Sequence, residues 1–337
     1  MQHDIVIPLF NLAWSTRAVY EGVARHYAPR KFHVVAPRKV AAALTDAVSE
    51  EGWDVPGLAA YPEEDFFTEK FGLTKDDLAG ELDLEASLYP PGWFYQQLLK
   101  LGADDGIADL TDWFLIWDSD LLPVATWPVV DPADGRPVYA LLQDRGRGNS
   151  DIVDRWRRWI ETVLDVPALT DDVATFVPHH MWFNRSHLAS LRQRLGVYYD
   201  APDTPWPKLV MRSANAFGTF SEFWLYASWA AARHPDDAPR YHPYAAYGAT
   251  TERFFEDGSA PFATALRQHL GVALDAPLRP DYEALCHFIE AIYGKEQLPS
   301  SLSFEASPRH RKKGRANMHV EELRSRWHNA EDAPAPS

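Results

Sequence analysis

Two carboxylates separated by one residue stand directly after a run of large apolar side chains. The run, Trp113 to Trp117, has the continuous apolar character of a strand that is covered on both faces of a sheet. Asp118 and Asp120 follow at its carboxyl end, where open α/β sheets bind their ligands. Neighbouring carboxylates repel each other, and a divalent cation that carries a diphosphate would relieve that repulsion. The spacing therefore predicts a site for a metal ion and an anionic ligand.

Paired histidines form a second group that could do chemistry. His179 and His180 follow an apolar segment that we interpret as a strand ending just before them. Neutral imidazole could bind a metal, act as a base or bind a substrate. The alternative for each histidine is a hydrogen-bonded position in the core.

A carboxylate at the start of an aromatic-rich helix is the third candidate. Ser221 or Thr219 can cap the helix, and Glu222 lies in its first turn. Glu222 could act as a base or accept a hydrogen bond from a substrate hydroxyl. A capping role alone is the alternative.

Side chains suited to an anionic ligand lie on both sides of the acidic pair, Asp118 and Asp120. Trp93, Gln97 and Lys100 recur at helical spacing, so one helix face could carry an aromatic ring, an amide and a cation. Arg145 and Arg147 lie in a polar loop that could close over phosphates. An ordinary packing helix and a plain surface loop are the alternatives.

Alternating strands and helices are expected to position these groups. We predict strands over residues 4–10 and 32–36, each followed by a helix, over residues 12–26 and 40–51. This alternation predicts a mostly parallel, doubly wound central sheet flanked by helices. The ends of the first two strands would then border the same crevice as Asp118.

Four residues near those strand ends are therefore candidates for ligand contacts. Pro8 and Phe10 end the first strand, Arg17 lies in the following helix, and Arg38 follows the second strand. The arginines could contact a phosphate or a base. Solvated charges at helix starts are the alternative.

The composition is that of a globular chain and argues against several classes of protein. The 337 residues suffice for one large α/β domain or two smaller ones. A net charge of −15 argues against a general nucleic-acid binder, and the lone Cys286 excludes an internal disulfide. We find no signal-peptide pattern and no apolar run near the ~20 residues of a membrane span, so we expect a cytoplasmic protein.

The C-terminal third carries two further features. His242 could supply a third metal ligand beside the two aspartates. The basic run Arg309 to Arg315, centred on Lys312, could contact the inner face of a membrane or an acidic partner. A solvated tail is the alternative for this run.

Several of these segments, in this order, resemble a bacterial family of largely uncharacterised predicted glycosyltransferases. The resemblance spans roughly residues 4–230. It implies a GT-A-like (Rossmann-like) α/β fold with a helical C-terminal extension. The segments that carry it are Ile5-Val6-Ile7-Pro8, Pro91-Gly92-Trp93-Phe94-Tyr95-Gln96-Gln97-Leu98-Leu99-Lys100, Trp117-Asp118-Ser119-Asp120, His179-His180-Met181 and Phe220-Ser221-Glu222-Phe223-Trp224-Leu225-Tyr226.

The resemblance implies a nucleotide-diphosphate sugar as donor and a divalent metal, Mn²⁺ or Mg²⁺. Asp118 and Asp120 match the family's metal and donor motif. The sugar would pass to a hydroxyl of a carbohydrate or another acceptor, with Glu222 or His180 orienting or deprotonating it. The remaining donor contacts would come from Pro8, Phe10, Arg17, Arg38, Gln97, Lys100, Trp117 and Ser119. Substrate contacts would come from Trp93, Arg145, Arg147, His179 and Ser221.

On this basis we expect a catalytic domain over residues 1–235, with a nucleotide-sugar half to about 123 and an acceptor half from about 124. Residues 236–305 would pack on the same domain, and residues 306–337 would form a basic segment, a short helix and a disordered tail.

Two other functions stay open. A haloacid-dehalogenase-like phosphohydrolase also places two aspartates after a hydrophobic strand, although Leu122 stands where that class usually has Thr or Val. A non-catalytic protein that binds a nucleotide sugar or carbohydrate is the other alternative.

Overall fold

The computed structural model describes residues 2–131, 133–141, 151–170, 175–243, 251–254 and 256–304. The basic run around Lys312 and the loop with Arg145 and Arg147 lie outside these ranges, so the predictions for them stay predictions. Within these ranges, no helix has both the length and the apolar character needed to cross a bilayer.

The described strands form one large sheet and two small ones. In chain order they are β1 (Asp4–Pro8), β2 (Phe32–Ala36), β3 (Ala59–Pro62), β4 (Trp113–Trp117), β5 (Leu121–Pro123), β6 (Val138–Leu141), β7 (His180–Asn184), β8 (Arg240–Pro243), β9 (Thr251–Phe254) and β10 (Ser301–Phe304). The large sheet has the order β3-β2-β1-β4-β7. Its first four strands are parallel, and β7 at the edge runs antiparallel to β4.

Helices cover both faces of this sheet. The described α-helices are α1 (Thr16–Tyr27), α2 (Arg38–Glu50), α3 (Thr68–Phe71), α4 (Lys75–Ala79), α5 (Pro91–Leu101), α6 (Ala103–Gly106), α7 (Asp151–Trp159), α8 (Arg185–Tyr198), α9 (Trp206–Phe217), α10 (Glu222–Arg233), α11 (Glu256–His269) and α12 (Tyr282–Tyr293). The predicted α/β class, with a mostly parallel central sheet flanked by helices, is confirmed.

The apolar character of β4 follows from its position between two cores. Phe114 and Ile116 pack into the core that contains α5 and α10. Leu115 and Trp117 pack into the opposite core, with α1 and α12. Successive side chains of a strand point to opposite faces, so a strand covered on both sides must be apolar throughout. The predicted bounds of this strand are confirmed.

Short strands tie the C-terminal part of the chain to the segment that follows the acidic pair. β10 pairs antiparallel with β5 and parallel with β9. The backbone N–H of Phe304 also donates to the carbonyl oxygen of Asp120, at 2.9 Å. The backbone of the acidic pair is therefore fixed on one side by β4, which ends directly before Asp118, and on the other by β10, which donates a hydrogen bond to Asp120.

Candidate active site

The acidic pair lies at the point where the strand order of the large sheet reverses. The chain builds outward from β1 through β2 to β3, and then returns to place β4 on the other side of β1. Ligands of open α/β sheets bind outside the carboxyl ends of the strands at such a switch point. Pro8 ends β1 and Asp118 follows β4, so both border this crevice. β2 lies next to β1 on the side away from β4, so the end of β2 is one strand further from Asp118 than the end of β1.

Asp118 holds two partners, one with each carboxylate oxygen. Its Oδ1 lies 2.6 Å from Nζ of Lys100, and its Oδ2 lies 3.1 Å from Nδ1 of His179. Burial opposes ionisation of this carboxyl group, but the Lys100 ammonium and the His179 hydrogen bond outweigh it and lower its pKa to about 2. Asp118 is therefore a carboxylate at neutral pH, the form that binds a cation.

Lys100 is a buried cation held between two carboxylates. Its Nζ also lies 2.7 Å from Oε1 of Glu222, and its side chain is 5% exposed. The ammonium sits 4.3 Å from the centre of the Phe223 ring. Burial opposes the charge, but Asp118 and Glu222 together raise the pKa of Lys100 above its usual value. The site therefore contains a fixed positive charge.

The start of α10 positions Glu222. Ser221 caps the helix and its side chain accepts a hydrogen bond from the backbone N–H of Trp224, as the sequence predicted. The backbone N–H of Glu222 donates to Oε1 of Gln97, at 3.1 Å. Gln97 and Lys100 on α5 thus hold the same residue, one through its backbone and one through its carboxylate.

His179 reaches the acidic pair because its backbone adopts a left-handed conformation. Its φ angle is +64°, a region that residues other than glycine seldom occupy. Its carbonyl oxygen accepts a hydrogen bond from the backbone N–H of Asp118, at 2.8 Å. The prediction that both histidines follow a strand was wrong: His179 directly precedes β7, and His180 is the first residue of β7.

His180 points away from solvent and uses both ring nitrogens. Nδ1–H donates to the carbonyl oxygen of Pro178 at 3.1 Å, and Nε2 accepts from Nε1–H of Trp127 at 3.2 Å. Burial lowers the pKa of His180 to about 4. His180 is therefore neutral at pH 7 and supports the strand beside the site.

Three side chains at this edge form a possible metal-binding group. One ligand atom each from Asp118, Asp120 and His179 lie within 4.8 Å of one another. Two carboxylates and one imidazole are ligands that a divalent first-row metal accepts. The donor set therefore fits the cation that the sequence predicted, with His179 as a possible third ligand. His242 lies in β8, and its side chain is outside the described part of the chain.

Several other predicted residues lie near the site in different environments. Trp117 is fully buried, and its Nε1–H donates to the carbonyl oxygen of Leu121. Phe10 is 75% exposed beyond the end of β1. Trp93 stacks on Tyr89 with ring centres 4.0 Å apart, and Ser119 is half-buried between the two aspartates.

The two predicted arginines near the first strands are engaged in ion pairs. Nε of Arg17 lies 2.8 Å from Oε1 of Glu21, one helical turn along α1. Arg38 pairs with the exposed Asp65 at 2.5 Å. A phosphate contact by either arginine stays a prediction.

A family model described as a family of unknown function (DUF6492) matches residues 15–268. No curated protein matches the chain.

Solved structures of similar shape include three glycosyltransferase structures. Mouse xyloside xylosyltransferase 1 in its apo form has 12% identity and a TM-score of 0.41, covering 83% of this chain and 95% of that chain. The apo glycosyltransferase GlyE of Streptococcus pneumoniae TIGR4 has 11% identity and a TM-score of 0.37, covering 98% and 62%. The bifunctional enzyme WbbM in its apo form has 11% identity and a TM-score of 0.36, covering 91% and 46%. At this level of similarity, the activities of those proteins do not carry over to this chain.

Proposed function

The chain belongs to DUF6492, a family of unknown function, and we propose that it is a metal-dependent glycosyltransferase. It would transfer a sugar from a nucleotide-diphosphate donor to a hydroxyl group of an acceptor. One observation carries the proposal: Asp118, Asp120 and His179 converge within 4.8 Å at the carboxyl end of β4, beside the reversal of strand order. This is where an α/β sheet binds a nucleotide, and a diphosphate needs a cation there.

Asp118, Asp120 and His179 would hold Mn²⁺ or Mg²⁺. Bound there, the cation would supply Lewis-acid charge to the departing diphosphate. His179 presents its imidazole through its left-handed backbone, and Asp118 is kept ionised by Lys100. The chain thus contributes a preorganised set of ligands at one edge of the sheet.

Lys100 would add a second positive charge near the leaving group. A fixed charge in a buried site stabilises developing negative charge without having to reorganise. Glu222 holds this ammonium in place at 2.7 Å, and Gln97 holds the start of α10. We therefore give Glu222 a positioning role through Lys100, besides the contact with the acceptor hydroxyl that the sequence suggests.

The test is a panel of nucleotide-diphosphate sugars with and without Mn²⁺. We expect one nucleotide to raise the melting temperature only when the metal is present, and slow hydrolysis of the matching sugar donor. Asp120→Ala should abolish both effects. Asp112→Ala is the matched control, because Asp112 is exposed near the opposite end of β4.

Two outcomes would overturn the proposal. Turnover of simple phosphate monoesters that depends on Asp118, with no response to any sugar donor, would establish the phosphohydrolase alternative. Metal-dependent binding of a nucleotide sugar without hydrolysis or transfer to any acceptor in a broad hydroxyl panel would leave only the binding protein.

A further inference from the structure

A second group of possible metal ligands lies near the other end of β4 and β7, where β4 begins and β7 ends. It consists of His187 in the first turn of α8, His234 directly after α10, and Asp237 in the following turn. One ligand atom from each lies within 4.8 Å of the others. We call these three residues the histidine clamp.

We propose that the histidine clamp binds a late first-row divalent cation such as Zn²⁺ and joins the start of α8 to the end of α10. Two imidazoles and one carboxylate are suitable ligands for this class of metal. A fourth position would be left to water, because Asp237 is on the surface with 59% of its side chain exposed.

The hydrogen bonds around His234 fix which of its nitrogens can bind a metal. Ser190 donates its hydroxyl hydrogen to the carbonyl oxygen of His187, at 2.8 Å. The Ser190 oxygen must then accept from Nε2–H of His234, also at 2.8 Å, as it does from Nε1–H of Trp229. This leaves the Nδ1 lone pair of His234 as the metal-binding atom.

Both ring nitrogens of His187 also have partners that orient the ring. Its Nδ1 lies 3.2 Å from the hydroxyl oxygen of Tyr226, and its Nε2 lies 3.2 Å from Oδ1 of Asp237. Metal-binding histidines commonly use their second nitrogen in this way, and such outer contacts orient the ring. The two imidazole rings stack with centres 4.0 Å apart.

The spacing of the ligand atoms also suits a metal. A tetrahedral zinc site holds its ligand atoms about 3.3 Å apart, and Nε2 of His187 and Oδ1 of Asp237 already lie 3.2 Å apart.

The position of the clamp gives it a structural consequence. β7 begins at His180 beside the acidic pair and leads into α8, while α10 begins at Glu222 and ends next to His234. A metal in the clamp would cross-link the far ends of the two elements that carry residues of the first site.

Equilibrium dialysis against Zn²⁺ alone, with the metal counted by mass spectrometry, tests this inference. The proteins compared are the wild type, Asp237→Asn, His234→Gln and the control Asp236→Asn, which removes an adjacent exposed carboxylate. We expect Asp237→Asn and His234→Gln to lose one equivalent of Zn²⁺, or to bind it at least tenfold more weakly. Asp236→Asn should bind as the wild type does.

A second comparison separates the clamp from the first site. Asp120→Asn should keep the clamp equivalent, and Zn²⁺ should still raise its melting temperature. The same rise should be absent in the double variant Asp120→Asn/Asp237→Asn, whose circular dichroism spectrum should still be that of a folded protein. Equal stoichiometry and affinity in the wild type, Asp237→Asn and His234→Gln would overturn the inference, whatever happens to the proposed transferase activity.

Discussion

The ammonium nitrogen of Lys100 lies 2.6 Å from Oδ1 of Asp118. This contact joins α5 to the end of β4, and the same nitrogen joins both to α10 through Glu222 at 2.7 Å. Three elements that are distant in sequence therefore meet at one buried charge. Four predictions follow from this arrangement and from the packing around it.

Removing the Lys100 charge should destabilise the metal-free protein strongly. Lys100→Met would leave the carboxylates of Asp118 and Glu222 buried without their cation, and breaking a buried ion pair in this way typically costs about 3–5 kcal/mol. Urea unfolding at pH 7 in the presence of a chelator measures the loss. The double variant Lys100→Met/Glu222→Gln should recover part of the stability, since one uncompensated charge is then removed. A loss below about 1 kcal/mol in the single variant would contradict this account.

Replacing His179 should weaken metal binding more than folding. His179→Asn removes the imidazole but keeps a residue type that tolerates the left-handed backbone seen at this position. We expect Mn²⁺ affinity to fall at least about tenfold, while the metal-free protein loses only about 1 kcal/mol. Calorimetric titration with MnCl₂ measures the affinity, and His287→Asn, at an exposed site on α12, is the control. Unchanged Mn²⁺ affinity would remove His179 from the ligand set.

Asp4 should make the stability depend on pH in the acidic range. It is fully buried and accepts hydrogen bonds from Nε–H of Arg30 at 2.8 Å and from the backbone N–H of Thr111 at 3.0 Å. Burial opposes ionisation of Asp4, but Arg30 and Thr111 outweigh it and hold its pKa below 3.8. A carboxyl group with a lowered pKa in the folded state contributes stability that is present above pH 3.8 and is lost as the pH falls through the folded pKa.

Asp4→Asn should therefore lower the free energy of unfolding by about 1–3 kcal/mol at pH 7. The difference from the wild type should shrink below pH 3.8, where the wild-type carboxylate becomes protonated. Urea titrations across this range measure both quantities. Asp109→Asn, which removes an exposed partner of Lys31, should change stability by less than about 1 kcal/mol at every pH. If the difference in free energy of unfolding between Asp4→Asn and the wild type stayed constant with pH, the carboxylate charge of Asp4 would not be the source of that difference.

The glycine that follows α5 should not tolerate a side chain. A Cβ atom on Gly102 would lie 2.5 Å from a ring carbon of Phe67, which is buried against Tyr95 and Trp206. Gly102→Ala should therefore cost about 1–3 kcal/mol of stability by overpacking. Gly92→Ala, near the start of the same helix, meets nothing within 4 Å and should be neutral or slightly stabilising. Equal thermal stability of the two variants would argue against tight packing at the end of α5.

The central strands and the acidic pair could be predicted because their signals are local. The bounds of β2 and β4 were predicted correctly, since a run of buried apolar residues marks a strand between two covered faces. Of the two candidate caps of α10, Ser221 is the one that caps the helix. The helix after β7 is capped by Asn184, whose Oδ1 accepts hydrogen bonds from the backbone N–H groups of Ser186 and His187.

The contacts that join these elements could not be predicted from one sequence. Lys100 and Glu222 are 122 residues apart, and no local pattern connects them. The antiparallel edge strand β7 was not predicted. Its start at His180 is defined by the pairing with Trp117, a contact between two segments that are distant in the sequence. The short strand β10 pairs with β5 and with β9, which are both distant from it in the sequence, so no local pattern predicts this small sheet.

Under the proposed function, the position of Lys100 beside the acidic pair has a consequence for the metal-free protein. A cluster made of carboxylates alone would repel itself until an ion arrived, and chains made in metal-poor conditions would unfold and be degraded. Here the compensating charge is built into the polypeptide. If the proposed function holds, scarcity of the ion would slow turnover while the folded protein persists, and activity would return with the ion without new synthesis.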